Sequence, residues 1–249
     1  MIYAVNYADK NYATAQRFNS WSAKHIVGVD KVYAFTPNDI EYDFYEEHKD
    51  ILELPRGGGY WLWKPYIINK TMDLINDGDI ITYCDSGAMY VKSVKALIPY
   101  FDEYKQDIIF SSTPYYDRNW CKPKVINPEK DHIEKVFPFQ YEATWIMVKK
   151  SPQSVKIIKE WLEMCCKAEN LIDDKSYDFP CIEHRHDQAL FSIVCKRYNM
   201  KPIFCISDRY LFHRIIAMRH RYIESEAENI IDIAKDYYSR LYNRKSCMY

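Results

Sequence analysis

The chain has 249 residues, and its 34 Lys and Arg balance 35 Asp and Glu to give a formal net charge of −1. This balance argues against general nucleic-acid binding, which needs a clear basic excess. With 48% hydrophobic residues, the chain can bury the core of one α/β domain, with or without an extension. No apolar run approaches the roughly 18 residues that a membrane-spanning helix needs.

The eight cysteines include no Cys-x-x-Cys pair, which argues against a zinc ribbon or a thioredoxin-like site. The first residues, Met1 to Val5, have the pattern of a strand rather than of a signal peptide. We therefore expect a cytoplasmic protein with unpaired thiols.

Alternating strand and helix patterns predict the α/β class. Residues 2–7 and 31–35 read as strands, and a helix capped by Asp9 lies between them, as in a parallel sheet. No Gly-x-Gly-x-x-Gly follows the first strand, so the dinucleotide-binding fingerprint is absent. Further helices are predicted at 64–75, 91–100, 152–166, 187–198 and 222–242, further strands at 80–83, 107–111, 140–148 and 201–206, a surface segment at 39–50 and a long loop at 113–140.

An acidic motif follows the third predicted strand. Asp77-Gly78 has turn chemistry, residues 80–83 are strand formers, and Asp85-Ser86-Gly87 then ends the strand. In open α/β sheets, ligands bind beyond the carboxyl ends of the strands. A carboxylate in this place can hold a divalent cation, which can in turn hold a diphosphate.

A glycine- and tryptophan-rich segment precedes that strand. Gly57-Gly58-Gly59 gives either a backbone that a ligand can approach or an ordinary flexible turn. Lys64-Pro65 then opens a helix, whose N-terminus attracts anions, so we expect Lys64 near a diphosphate or its sugar. Of Trp61 and Trp63, we expect one to pack on the sheet and the other to line the cleft.

These two segments, residues 58–65 and 78–87, resemble bacterial GT-A-fold glycosyltransferases of polysaccharide and capsule biosynthesis. In that family an Asp-x-Asp motif ends a central strand and holds Mn²⁺ or Mg²⁺ with the diphosphate of a nucleotide sugar. Asp85 matches the first Asp, whereas Gly87 stands at the second position, so the motif is degenerate. The resemblance covers roughly residues 1–210. It implies a Rossmann-like mixed, mostly parallel sheet flanked by helices, with residues 211–249 as a C-terminal helical extension packed on it.

The resemblance also implies roles for particular residues. Asp187-Gln188, which opens a helix, resembles the pair that contacts the donor sugar in retaining transferases, although Asp187 is also suited to cap that helix. Glu142 would border the acceptor, and His213 or His220 would complete a metal shell with Asp85. The residues expected to bind the donor are Tyr7, Asp9, Trp63, Lys64, Asp85, Ser86 and Gly87.

The expected reaction moves a sugar from a nucleotide-diphosphate donor to a hydroxyl of a glycan or lipid-linked glycan. An inverting enzyme would use Glu142 or Asp187 as the base. A retaining enzyme, which the Asp187-Gln188 resemblance slightly favours, would steady the sugar with Asp187 or Gln188. Tyr115, Tyr116 and Trp120 in the long loop would either form an acceptor wall or anchor the loop to the core.

The C-terminal segment leaves three interpretations open. Arg209, Arg214, Arg219 and Arg221 would bind the diphosphate, approach the inner face of an anionic membrane, or form a solvated basic face. The helix at 222–242 would pack on the domain or on a second copy of the chain.

Two other functions remain as alternatives. The loss of the second Asp at Gly87 suits a non-catalytic glycan- or nucleotide-binding module that retains the fold. A nucleotidyltransferase would also place carboxylates at strand ends, but no basic glycine-rich loop follows the first strand.

Overall fold

The computed structural model describes residues 1–126, 137–203, 210–211 and 214–217. The strands in chain order are β1 (Ile2–Tyr7), β2 (Lys31–Phe35), β3 (Ile80–Cys84), β4 (Ala88–Tyr90), β5 (Ile108–Ile109), β6 (Ser112–Tyr116), β7 (Phe139–Tyr141), β8 (Trp145–Lys149), β9 (Tyr210–Leu211) and β10 (Ile215–Ala217). The helices are α1 (Ala13–Ser22), α2 (Tyr42–Leu52), α3 (Gly57–Tyr60), α4 (Trp63–Leu74), α5 (Tyr100–Glu103), α6 (Asp117–Trp120), α7 (Pro152–Cys165), α8 (Ala168–Leu171) and α9 (His186–Arg197). Single turns of 3₁₀-helix lie at Pro37–Asp39, Val94–Leu97 and Pro123–Val125, and a π-helical turn, Ala23–Val27, continues α1.

The central sheet has five strands in the order β2-β1-β3-β8-β5. β1 pairs in parallel with both β2 and β3, whereas β8 pairs antiparallel with β3 and with β5. Four strands therefore run in one direction and β8 runs in the other. The predicted mixed, mostly parallel sheet flanked by helices is confirmed.

Helices cover both faces of this sheet because its central strands are apolar on both sides. All five residues of β3 are buried, and its four apolar residues divide between two hydrophobic clusters. Ile81 and Tyr83 pack with α4, α7 and α9, while Ile80 and Cys84 pack with the π-helical turn and the segment from 94 to 101. The buried strand β3 thus delivers the chain that follows it, beginning at Asp85, to the edge of a rigid core.

Two predictions for the chain after the acidic motif are wrong. The helix predicted at 91–100 is instead a 3₁₀ turn, capped by Ser93, and the short α5. Pro99 lies between them, and its missing N–H prevents one continuous helix. The loop predicted at 113–140 contains β6 and α6, and β6 pairs antiparallel with β7 in a separate small sheet.

Two other segments also differ from the prediction. The strand predicted at 140–148 is broken at residues 142–144 into β7 and β8, which join different sheets. The break follows from pairing: Glu142 donates its backbone N–H to Ser111 O, and Thr144 O accepts from Asp85 N, so the segment crosses between the sheets. The surface segment predicted at 39–50 mostly forms α2.

The C-terminal part of the described chain returns to the acidic motif. β10 pairs antiparallel with β4, which sets Ala217 opposite Ala88. His213, His220, the predicted helix at 222–242 and half of the predicted strand at 201–206 lie outside the described residues, so the division into 1–210 and 211–249 stays a prediction. Within the described residues, no helix is both long and apolar enough to cross a membrane.

Candidate functional site

Lys64 joins three segments at the carboxyl end of β3. It is the second residue of α4 and is 3% exposed. Its Nζ lies 2.7 Å from Asp187 Oδ2 at the start of α9 and 3.2 Å from Asp85 Oδ1, and it donates to Ala143 O at 3.3 Å. The predicted residues Lys64, Asp85 and Asp187 therefore form one cluster.

The charges of this cluster depend on one another. Burial by itself would lower the pKa of Lys64, but the carboxylates of Asp187 and Asp85 outweigh that effect and raise it. Burial raises the pKa of Asp187 to about 6, although Lys64 opposes the shift. Burial also raises the pKa of Glu142, against the hydrogen bonds from Thr144. Lys64 thus stays charged, while both carboxyl groups take up protons at a higher pH than usual.

Asp85 is the most accessible member of the cluster, with 31% of its side chain exposed. The Tyr83 hydroxyl donates to its Oδ1 at 2.5 Å, on the same oxygen that Lys64 approaches. Among the described residues, no three His, Cys, Asp or Glu side chains converge as a preformed metal shell. Mg²⁺, however, is usually held by one or two carboxylates together with substrate phosphates. Asp85 fits that arrangement, in which the cation arrives with a phosphate ligand.

One cavity lies between the end of β1 and the glycine-rich turn, and we call it the β1 cavity. Its volume is about 430 Å³. Tyr7 stacks on Trp63 with ring centroids 4.1 Å apart and 14° between the planes, and the Ser86 hydroxyl donates to Tyr7 O at 2.6 Å. The lining includes seven predicted donor-site or adjacent residues: Tyr7, Ala8, Asp9, Trp63, Asp85, Ser86 and Gly87.

Asp9 has a structural role in the wall of that cavity. Its Oδ1 accepts from Asn11 N at 2.9 Å and from Tyr12 N at 3.2 Å, and its Oδ2 accepts from Asn11 Nδ2 at 2.8 Å. These bonds form a turn over residues 9–12 that precedes α1. The N-cap of α1 is Tyr12, without a side-chain hydrogen bond, so the predicted capping of this helix by Asp9 is wrong. Trp63 Nε1 donates to Gly57 O at 3.0 Å, which ties the opposite wall together.

A second cavity, which we call the α9 cavity, has a volume of about 290 Å³ and adjoins the first. Its lining includes Lys64, Asp85, Thr113, Tyr115, Trp120, Gln140, Glu142, Thr144, Asp187 and Gln188. Asp85, Thr144 and Trp61 line both cavities. The predicted residues therefore separate into two groups that meet at Asp85.

The polar groups of the α9 cavity differ in how much hydrogen-bonding capacity they keep. Gln188 Nε2 donates to Gln140 Oε1 at 2.8 Å, and its Oε1 accepts from Ala143 N at 3.4 Å. The Gln188 amide is thus mainly engaged with the protein. Glu142 Oε1 accepts from Thr144 N at 3.1 Å and from the Thr144 hydroxyl, which fixes the carboxylate in the wall.

Aromatic side chains form the outer part of the α9 cavity. Tyr115 and Trp120 line it, with ring centroids 5.4 Å apart. The guanidinium of Arg185 lies 4.3 Å from the Trp120 ring centroid. Tyr116 instead packs on Phe139, away from the lining. The long loop therefore contributes Tyr115 and Trp120 to the cavity wall, while Tyr116 is 42% exposed and does not reach the core.

The glycine-rich segment, α3 together with Trp61, has a left-handed backbone. Five consecutive residues, from Gly57 to Trp61, have φ between +50° and +94°. A Cβ on Gly59 would lie 2.7 Å from Leu52 Cα, so only glycine fits there. The turn holds the Trp61 ring between Gly57 and His186, whose ring centroid is 5.3 Å away. Sequence reasoning did not assign Trp61 to the boundary between the cavities; the adjacent glycines were the available signal.

The fold and the site define an α/β protein with a charged, two-part cleft at the carboxyl end of its central strand. No protein-family model matches the chain, and no curated protein matches it. Among solved structures, the apo form of mouse xyloside xylosyltransferase 1 is similar, with 9% sequence identity and a TM-score of 0.45. The match covers 84% of this chain and 86% of that one.

Proposed function

We propose that this protein is a glycosyltransferase that moves a sugar from a nucleotide-diphosphate sugar to a hydroxyl of a glycan acceptor. One observation carries the proposal: two cavities, one walled by a stacked aromatic pair and one by the carboxylates of Glu142 and Asp187, meet at the accessible carboxylate of Asp85. A transferase needs such a pair of adjoining sites, because the donor and the acceptor hydroxyl must meet at one carbon atom. Because residues 58–65 and 78–87 resemble bacterial GT-A-fold glycosyltransferases, we propose an acceptor from surface polysaccharide synthesis.

The β1 cavity would hold the nucleoside. Tyr7 and Trp63 offer a flat apolar wall to a base, and the cavity volume lies in the usual range for small-molecule sites. Ser86 and Gly87 follow Asp85 along the same wall. The diphosphate would then lie beside Asp85, with the sugar directed into the α9 cavity.

The charge balance of the cleft supports a divalent cation for the diphosphate. Arg56 and Arg185, which also line the α9 cavity, pair with Glu183. Lys64 lies among the carboxylates of Asp85, Glu142 and Asp187, and it already contacts two of them. Its charge therefore holds the carboxylates in place and leaves little for a phosphate. Mn²⁺ or Mg²⁺ on Asp85 would supply the Lewis acid that neutralises the leaving diphosphate. Lys64 thus acts by positioning Asp85 and Asp187.

The α9 cavity would hold the acceptor, with Glu142 as the base. The acceptor oxygen forms a bond to the anomeric carbon, its proton passes to Glu142, and the bond from that carbon to the diphosphate breaks. Glu142 suits this role because burial raises its pKa and Thr144 fixes its orientation. Asp187 is less suited as the base because it is only 4% exposed and its carboxylate is already paired with Lys64 Nζ at 2.7 Å, which leaves it less accessible to an acceptor hydroxyl. We therefore propose inversion at the anomeric carbon, although the Asp187-Gln188 resemblance favours retention.

The test measures nucleotide released from UDP-, GDP-, CMP- and dTDP-sugars, with Mn²⁺ or with EDTA. We expect release from one donor, its loss in EDTA, and at least a hundredfold loss in Asp85→Asn with the fold intact by circular dichroism. Near-normal release by Asp85→Asn would refute the assignment. Donor binding by calorimetry, with neither hydrolysis nor transfer, would instead favour the binding module, which the engaged Lys64–Asp85 pair and Gly87 also suit.

A further inference from the structure

A pair of buried amides lies directly behind the acidic turn that follows β3. Asn19, in α1, is 1% exposed, and Asn6, in β1, is fully buried. Asn19 Nδ2 donates to two backbone carbonyls, Asp85 O at 3.1 Å and Ala88 O at 2.8 Å. These are the first and last residues of the turn, which Ala88 N closes by donating to Asp85 O at 2.9 Å.

The orientation of the Asn19 amide is fixed from the other side. Asn6 Nδ2 donates to Asn19 Oδ1 at 2.8 Å and to Ser20 Oγ at 2.9 Å. Because Asn6 supplies a donor, the Asn19 oxygen faces β1 and its nitrogen faces the turn. Both hydrogens of that nitrogen are then used on the turn.

Asparagine is unfavourable for stability at this buried position in a helix. Asparagine forms helices poorly, and a buried amide costs free energy unless every polar atom is paired. Its neighbours on the buried side of the helix include Ala15 and Ala23, and an apolar residue would pack there without needing partners. The backbone carbonyls of Asp85 and Ala88 account for an amide at position 19, because without Asn19 Nδ2 they would be buried with fewer hydrogen-bond donors.

The turn also connects the two cavities. The Ser86 hydroxyl donates to Tyr7 O in the β1 cavity, and the Asp85 side chain lines both cavities. A rotation of the turn would therefore move Asp85 away from Lys64 and would release Ser86 from Tyr7.

We infer that Asn19 is a positioning residue for Asp85, acting through the backbone of residues 85–88. This role in turnover rests on the proposed transferase function, while the hold on the turn does not. Asn19 sets the place of the Asp85 carboxylate, and with it the affinity for the cation and the diphosphate. The effect passes through one turn, so it appears mainly in cation affinity and turnover rather than in global stability.

Ser22 provides a matched control on the same helix. Its hydroxyl donates to Asn19 O at 2.7 Å and accepts from Tyr90 N at 3.0 Å, and it is fully buried. Ser22→Ala thus removes a buried hydrogen bond between α1 and β4 without touching the carbonyls of Asp85 or Ala88. Asn19→Leu, which keeps the branching at Cγ and the number of side-chain heavy atoms, serves beside Asn19→Ala in case the smaller residue fails to fold.

The experiment combines hydrogen exchange of the Ala88 amide with Mn²⁺ titration of nucleotide release in the full chain. We expect both Asn19 variants to speed exchange at Ala88 at least tenfold and to raise the half-saturating Mn²⁺ concentration at least tenfold. Ser22→Ala should leave both values within twofold of the wild type.

The outcomes separate the inference from the function it rests on. If Asn19→Leu folds and matches Ser22→Ala in Mn²⁺ dependence and turnover, the positioning role is wrong, whatever the exchange rate. A wild type that releases nothing from any donor refutes the transferase and with it the role in turnover. Even then, faster exchange of the Ala88 amide in the Asn19 variants would establish that Asn19 stabilises the turn at residues 85–88. Unchanged exchange would show that it does not.

Discussion

Replacing Lys64 by Met tests the electrostatic account of the site, because it leaves two carboxylates without their counterion. Asp187 is 4% exposed and lies 2.7 Å from Nζ, and Asp85 lies 3.2 Å away. At an effective dielectric constant of about 20, these contacts are worth about 6 and 5 kcal/mol before desolvation. The partial exposure of Asp85 reduces the energy of its contact with Lys64. In the variant, moreover, no ammonium group has to be desolvated on folding. We expect a net loss of about 3–5 kcal/mol in unfolding free energy at pH 7.5.

The loss should depend on pH in a defined direction. The pKa of Asp187 in the folded protein, about 6, lies above its usual value, so the folded state binds a proton more readily than the unfolded state. Removing Lys64 raises that pKa further, because Lys64 is the group that lowers it. Stability of the variant therefore rises as the pH falls towards the usual Asp range. The stability deficit of Lys64→Met relative to the wild type should therefore shrink as the pH falls. Between the Asp187 pKa of the folded variant and that of the folded wild type, it should shrink by up to about 1.4 kcal/mol per pH unit.

Urea unfolding at pH 7.5 and pH 5.5 measures both effects. Lys64→Met/Asp187→Leu, which removes the buried carboxylate as well, should recover most of the loss at pH 7.5. A single-variant deficit below about 1 kcal/mol at pH 7.5, against the 3–5 kcal/mol expected for an orphaned buried charge, would refute the reasoning. The reasoning would also be refuted if the deficit of Lys64→Met were the same at pH 5.5, or if Lys64→Met/Asp187→Leu were no more stable than Lys64→Met.

The remaining predictions concern the base and the left-handed turn. Glu142→Gln should lower transfer by a factor of about 10²–10⁴ while donor binding by calorimetry stays within threefold, since only proton transfer is lost; transfer within tenfold of the wild type would exclude Glu142 as the base. NMR of the sugar product should show an inverted anomer, and a retained anomer would contradict the proposed role of Glu142. Gly59→Ala should destabilise by about 2–4 kcal/mol in thermal or urea unfolding, because a Cβ at φ +94° would also meet the Leu52 backbone. Gly78→Ala is its control, at φ +84° with nothing within 4 Å of the added Cβ, so its loss should be only about 1–2 kcal/mol; equal losses in the two variants would show that the close approach does not matter.

The local sequence predicts most of the central fold. Strands β1, β2 and β3 and helices α4, α7 and α9 lie within a few residues of their predicted bounds. Each has a strong local signal, such as an apolar run in β3 or Ser151-Pro152 at the start of α7. The helix predicted at 91–100 failed for a local reason, Pro99, whereas the strand predicted at 140–148 failed because strand pairing rather than local pattern decides. The segment 140–148, an apolar run with a polar lead-in, is continuous in sequence, yet its two halves join different sheets.

The same division holds for the candidate site. Sequence determined that Asp85 ends a buried strand and that Lys64 and Asp187 begin helices, because turn residues, apolar runs and helix starts are encoded locally. Tertiary structure alone decided that Lys64 contacts both carboxylates, that Trp61 separates two cavities and that Asn19 holds the acidic turn. Each of those contacts joins elements distant in the chain. They depend on how helices pack on the sheet, and burial then sets the charges and pKa values that follow.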